Sequence, residues 1–175
     1  SILRRKAKRA IKPDPEISDL AERLVAVLER AGGLGLAAPQ IGASLRVITY
    51  DIGEGPEVII NPRIEQSEGL ESGVEGCLSL PRLYGDVPRA RRVVVKARDA
   101  RWRPITIEAE DLLARVLQHE IDHLNGILFV DRVEPETLHW LVGDTQEGEV
   151  QRVYTAVQDA LKVFEARLAA RRASN

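Results

Sequence analysis

The segment His119-Glu120-Ile121-Asp122-His123 sets two imidazoles four residues apart, with a carboxylate directly after the first. On an α-helix, positions i and i+4 leave the same face, so one divalent metal can take both rings. Glu120 then lies beside that ion, where a carboxylate can take and return the proton of a hydrolytic water. Two ligands do not complete a catalytic metal site, which uses three protein donors and keeps one position for water. Three kinds of residue could supply the third. His139 stands further downstream in His139-Trp140, at a spacing that suits metalloproteases poorly. Asp131 or Glu134 offers the right donor atom without a marked context. Cys77, the single cysteine, sits in Glu75-Gly76-Cys77-Leu78-Ser79. Its thiolate is a strong ligand for borderline and soft metals, and the adjoining glycine admits a close backbone approach. The plain alternative is a pair of surface histidines on a polar helix and an inert buried thiol.

These residues need elements to hold them. Asp14-Pro15 predicts a helix start, with Asp14 as N-cap and Pro15 at the first position. Ile17, Leu20, Leu24, Val27 and Leu28 recur at helical spacing until Gly32-Gly33 ends the run. Residues 33–42 read as a small-residue loop. Leu45–Tyr50, Val58–Ile60, Val93–Ala97 and Ile105–Ile107 are β-branched runs that predict strands, with a turn at Asp99-Ala100-Arg101. A second helix is expected from Glu110 to Leu124, stopping at Asn125-Gly126. Leu112, Val116 and the histidines share one side of it, so the metal face continues an apolar stripe. Gly126–Val130 reads as a short strand. Val150, Val153, Val157, Leu161, Phe164 and Leu168 predict a C-terminal helix over about 147–172, with Arg167, Arg171 and Arg172 near its end to complement the helix dipole.

Composition narrows the class. The chain has 175 residues, 44% hydrophobic and 30% charged, with a formal net charge of −2. That is an ordinary globular balance without the charge signature of a DNA-binding protein. No apolar run is long enough to cross a bilayer, no secretory segment is seen, and one cysteine fits a reducing compartment, so a cytoplasmic protein is expected. Arg4, Arg5, Lys6, Lys8 and Arg9 form an acid-free basic start. It reads as a solvated arm, with the remnant of an organellar transit segment as the alternative.

Three motifs, taken in order, are specific. Gly33-Leu34-Gly35-Leu36-Ala37-Ala38-Pro39-Gln40-Ile41-Gly42, Glu75-Gly76-Cys77-Leu78-Ser79 and Gln118-His119-Glu120-Ile121-Asp122-His123 resemble those of the bacterial-type peptide deformylases. The resemblance runs from about Ile2 to Val133. It implies an α+β fold in which short antiparallel sheets pack around a central helix bearing His-Glu-x-x-His, with N-terminal and C-terminal helices, all in a single catalytic domain over 1–175. It implies Cys77, His119 and His123 as metal ligands, for ferrous iron first and for zinc, nickel or cobalt as alternatives. Glu120 would be the general base, and the Gln40 side chain and Leu78 backbone N–H would be oxyanion donors. Gly33 and Gly35 would admit a peptide backbone, Leu34, Leu112 and Val116 would form a pocket for a methionine side chain, and Arg89 would contact substrate. Asp122 would support the helix.

The implied reaction is hydrolysis of the N-formyl group of nascent polypeptides, releasing formate. Relatives dock on the ribosome through their C-terminal part, so Arg167, Arg171 and Arg172 could meet ribosomal RNA; a packed helix with a solvated basic end is the plainer reading. Neither DNA nor a membrane is an expected partner. The chain departs from the family pattern at Arg82, at Asp111 and in the Asp99–Trp102 turn, where many relatives carry glycine. A zinc endopeptidase shares His-Glu-x-x-His but gives no reason for the Cys77 motif. A catalytically silent ribosome-binding module gives no reason for an intact set of ligands and base.

Overall fold

The computed structural model describes residues 1–143 and 150–173. In chain order these form α1 (Pro15–Ala31), β1 (Gly35–Ala37), β2 (Val47–Tyr50), β3 (Glu57–Glu68), β4 (Glu71–Cys77), β5 (Leu80–Arg89), β6 (Arg92–Asp99), β7 (Pro104–Glu110), α2 (Asp111–Leu124), β8 (His139–Val142), β9 (Gln151–Tyr154) and α3 (Val157–Ala173). The fold is α+β, with antiparallel sheets and three α-helices among the described residues. The chain divides into two compact units, Ser1–Glu71 with Arg89–Leu128, and Ser72–Pro88 with the segment from Phe129 onward.

The first unit is a sheet in the order β1-β2-β3-β6-β7. Successive strand residues point to opposite faces, and the two cores follow that alternation. Ala37, Ile48, Ile59, Val93 and Val95 pack with Ala114, Leu117, Ile121 and Leu124 of α2. Leu36, Val47 and Ile60 pack with Ile17, Leu20, Leu24 and Leu28 of α1. The helices therefore cover opposite faces, and β2 is buried along its whole length. Each fully buried aliphatic side chain contributes about 1.5–3 kcal/mol. Asp14 caps α1, its carboxylate accepting from the Glu16 N–H, and Gly32 closes it in the left-handed conformation.

The second unit holds a sheet in the order β4-β5-β8-β9 together with α3. Phe164 of α3 packs on Trp140 of β8, with ring centroids 5.4 Å apart.

Most elements lie where sequence places them, with informative shifts. The expected loop over 33–42 contains strand β1, because Gly35, Leu36 and Ala37 pair with Tyr50, Thr49 and Ile48. Strand β3 runs far beyond Ile60, through register shifts at Ile60/Arg63 and Ile64/Gln66 that hide its alternation. Gly126–Val130 is not a strand; Phe129–Asp131 is a single 3-10 turn. The C-terminal helix begins at Val157 and not near Glu147, because β-branched Val153 and its neighbours pair with β8 as β9. The first residues of that expected helix, through Glu149, lie outside the described residues, as do the side chains of Leu168, Arg171 and Arg172.

Candidate active site

Helix α2 carries the histidine pair. His119 is half-buried and His123 is 1% exposed. Their ring centroids are 5.0 Å apart, at 73° to one another. A ring nitrogen of each lies within 4.8 Å of the other's. Two imidazole nitrogens bound to one ion by bonds of about 2.0–2.1 Å stand at most about 4.2 Å apart, so the pair lies close to the separation a shared metal requires. Between them Glu120 is 3% exposed.

What makes room for the Glu120 carboxylate is Gly35. A Cβ on Gly35 would stand 2.6 Å from Glu120 Oε1 and 2.9 Å from its Cδ. Any other residue there would displace the carboxylate. The expectation was that Gly35 admits substrate backbone; its absent side chain is occupied by the base. Among the described residues β1 pairs with β2 and stands at the edge of its sheet, a place where a further strand can add.

Gln40 follows β1. Its Oε1 accepts from the Ala37 N–H at 2.7 Å. That bond assigns the two ends of the amide: the oxygen is committed to backbone, and the NH₂ is the end able to donate elsewhere.

A neighbouring side of α2 is clamped to the start of the β5–β6 link. Gln118 accepts from the Ala90 N–H at 3.0 Å and donates to the Ala90 carbonyl at 2.8 Å. One turn on, the Asp122 carboxylate accepts from Arg89 Nη1 at 2.5 Å, with side chains 9% and 4% exposed. Arg89 was expected at substrate; in the structure its charge is buried against Asp122. Gln118 had not been singled out. Its signal is visible afterwards as two polar residues, Gln118 and Asp122, four apart and therefore on one side of α2.

The remaining expected residues fall into two groups. In the first unit, Leu34 and Leu112 are 47% and 49% exposed, whereas Val116, 7% exposed, belongs to the core. Gly33 is half-buried ahead of β1. In the second unit, Cys77 ends β4 and is half-buried, and Leu78 in the following turn is 42% exposed. His139 is no metal-facing residue within its own unit: it is 6% exposed, its Nδ1 lies 2.7 Å from the Thr137 carbonyl, and its ring packs 5.6 Å from Tyr154.

A buried helix that pairs two histidines around a carboxylate is the working part of metal-dependent hydrolases. Comparison with known proteins makes the class specific. The polypeptide deformylase family model matches residues 1–139. A peptide deformylase of Caldicellulosiruptor bescii is 50% identical over 132 residues, covering 75% of this chain and 80% of that protein. The crystal structure of a peptide deformylase from Legionella pneumophila superposes with a TM-score of 0.74 at 46% identity, over 77% of this chain and 81% of that one. A peptide deformylase from Synechococcus elongatus, solved with actinonin, gives 0.74 at 46% identity, over 76% and 74%. The chain belongs to the polypeptide deformylase family, metal-dependent hydrolases that remove the N-formyl group from nascent polypeptides.

Proposed function

We propose that the chain deformylates N-formyl-methionyl ends in the cytoplasm, working as one catalytic domain over 1–175 organised about α2, with Cys77, His119 and His123 holding one divalent metal, ferrous iron in the first place. The observation that carries this reading is the Glu120 carboxylate lodged in the hollow of Gly35, between two histidines and behind an edge strand. One thiol and two imidazoles are donors that a borderline divalent metal accepts, with zinc, nickel and cobalt as substitutes. When bound, such a metal polarises a carbonyl and acidifies water.

The protein's residues do the rest. Glu120 takes the proton of the attacking water and hands it to the departing amine. The Gln40 NH₂ and the Leu78 backbone N–H donate to the oxyanion; removal of one such donor typically costs about 10²–10³ in rate. The substrate backbone adds to the edge of β1 beside Gly33 and Gly35, and Leu34 and Leu112, with Val116 beneath, take the methionine side chain.

The test is formate release from a formyl-methionyl peptide after anaerobic loading with ferrous iron. Turnover should vanish with chelator, fall with actinonin, and be absent for the unformylated peptide. Cys77→Ser should weaken metal binding by at least about tenfold in a competition titration; unchanged affinity would remove Cys77 from the ligand set. Cleavage of unformylated peptides would favour an endopeptidase instead.

A further inference from the structure

The basic run at the N-terminus has no part in that reaction, and it is not a loose arm. Ala7 and Ala10 are buried at 5% and 7% exposure. The Ala7 N–H donates to the Leu124 carbonyl at 2.8 Å, the Lys8 N–H to Ser44 at 3.0 Å, and the Arg46 N–H to Lys8 at 2.8 Å. Asn61 straps Ala10 from both sides, accepting from its N–H at 3.0 Å and donating to its carbonyl at 2.7 Å. At Gly126, whose φ is +78°, a Cβ would stand 2.9 Å from the Arg4 carbonyl carbon, so the arm closes tightly on the end of α2. The small residues of the run go inward, while Arg5, Lys6, Lys8 and Arg9 stay exposed.

The sheet continues this charge. Arg63 of β3 stands directly opposite Lys96 of β6, and like charges so placed are unfavourable. Glu65 offsets part of this, 3.2 Å from each. Arg98 donates to the Trp102 carbonyl at 2.7 Å and lies 5.6 Å over its ring. A groove of about 370 Å³ joins arm and sheet, lined by Arg9, Asn61, Arg63, Lys96, Arg98 and Thr106 among others, none of them a carboxylate. Behind it the Arg46 guanidinium is buried on neutral acceptors, Leu124, Asn125 and Pro62. Burial first, and then the charge of Arg9, lower its pKa. With 25 bases and 27 acids in the chain, overall basicity does not explain this concentration. Val93, Val95 and Ala97 point to α2, so Lys96 and Arg98 project from the other face of the sheet.

We propose that this arm and groove form a docking surface for the phosphate backbone of RNA. The cations are spread along an arm and across two strands and do not converge on one point, which suits a chain of phosphates better than a single anion. The choice of RNA among polyanions rests on the deformylase reading, since a nascent chain is held on an RNA-rich particle. The groove lies on the sheet face away from α2, so RNA held in it lies across the sheet from that helix. In α3, by contrast, the Arg167 guanidinium is already placed 5.7 Å and 5.8 Å over the rings of Trp140 and Phe164.

The experiment is fluorescence polarisation of a short labelled unstructured RNA with the full-length protein, between about 50 and 200 mM salt. The variants are R9E/R63E/K96E, the milder R9Q/K96Q, and R171E/R172E, each checked by thermal melting and by formate release from a free formyl-methionyl peptide. The triple variant should lose at least about tenfold in affinity, and its slope of log K against log salt should fall by roughly two. The double variant should lose roughly half to two-thirds of that slope change, and free-peptide turnover should stay at the wild-type level in both. Wild-type affinity in folded R9E/R63E/K96E would overturn the proposal, as would a loss confined to R171E/R172E. So would wild-type protein that binds vesicles of anionic phospholipid as tightly as RNA. RNA binding that follows these variants in a wild-type protein with no turnover would strike the deformylase reading and leave the docking surface standing.

Discussion

Helices α2 and α3 were both expected from the same kind of apolar periodicity, yet only α2 begins and ends within a residue of its expected limits. In α2, nine of the fourteen residues are buried, and the polar ones among them each meet a specific demand: Gln118 and Asp122 on the clamp, Glu120 in the Gly35 hollow, His123 in the pair. In α3 only Ala160 and Phe164 are buried among the residues whose side chains are described. A stripe read from sequence marks a helix securely when its boundaries carry stop signals and both of its faces have something to hold. Val150 and Val153 continued the stripe of α3 by spacing alone, and β8 took Val153 as a strand partner instead.

The strongest way to break this contrast is to attack the tightest contact of α2. Gly35→Ala places a methyl 2.6 Å from Glu120 Oε1, so the carboxylate must move. Turnover should fall by about 10²–10⁴, the range for loss of a general base, and match Glu120→Ala, while metal content stays near one ion. Gly33→Ala, two residues away, should cost far less. Equal effects at the two glycines, or wild-type turnover in Gly35→Ala, would sink the hollow as the device that positions the base.

Next comes the clamp. Arg89→Ala leaves Asp122 buried and unbalanced, which costs about 3–5 kcal/mol. The corresponding fall in Tm is roughly 10 °C for a chain of this size. Arg167→Ala in α3 removes an exposed cation from two rings and should cost less than about 1 kcal/mol. Calorimetry of the two variants reverses the comparison if α3 proves the costlier.

Much of the site was legible because its chemistry lies in contiguous motifs. Glu120 and the histidines announce themselves by type and spacing, Cys77 comes to notice through the resemblance of its motif, and the carbonyl end of Gln40 finds its backbone partner three residues away. What was illegible depends on long-range placement. Nothing local tells that Gly35 serves Glu120, that Arg89 is spent on Asp122, or that bulges carry β3 on to Glu68. The glycines absent at Arg82, Asp111 and the Asp99–Trp102 turn lie between these cases. At these departures from the family pattern Arg82, Asp111 and Trp102 are left-handed, with φ of +67°, +48° and +66°.

Those positions supply a finer test, because a left-handed non-glycine residue costs roughly 1–2 kcal/mol. Asp111 recovers little of it: its contact with Arg91 at 3.1 Å is exposed. Arg82 recovers more, donating to the Leu141 and Gly143 carbonyls at 2.7 and 2.6 Å. Asp111→Gly should therefore raise stability by up to about 1 kcal/mol, and Arg82→Gly should be neutral or destabilising in the same denaturant titration. A stabilising Arg82→Gly would show that the strain outweighs its two hydrogen bonds.

The smallest effect belongs to the turn after β6, where Asp99 does the work of the absent glycine. Its carboxylate accepts from the Arg101 and Arg103 N–H groups at 2.9 and 2.8 Å and from Arg103 Nε at 2.7 Å. The side-chain bond to Arg103 is the main cause that holds its pKa below the ordinary carboxylate value. A lowered pKa means that the folded chain binds this proton more weakly than the unfolded chain. The turn's stabilisation is thus fully present above about pH 4, the ordinary aspartate range, and drains away as the pH falls through the lowered value. Arg103→Gln should return Asp99 towards the ordinary range in a carboxyl NMR titration and move the acid limb of hairpin stability upward. An unmoved Asp99 would assign the shift to the backbone donors, and the left-handed Trp102 would then be held by Asp99 through main chain alone.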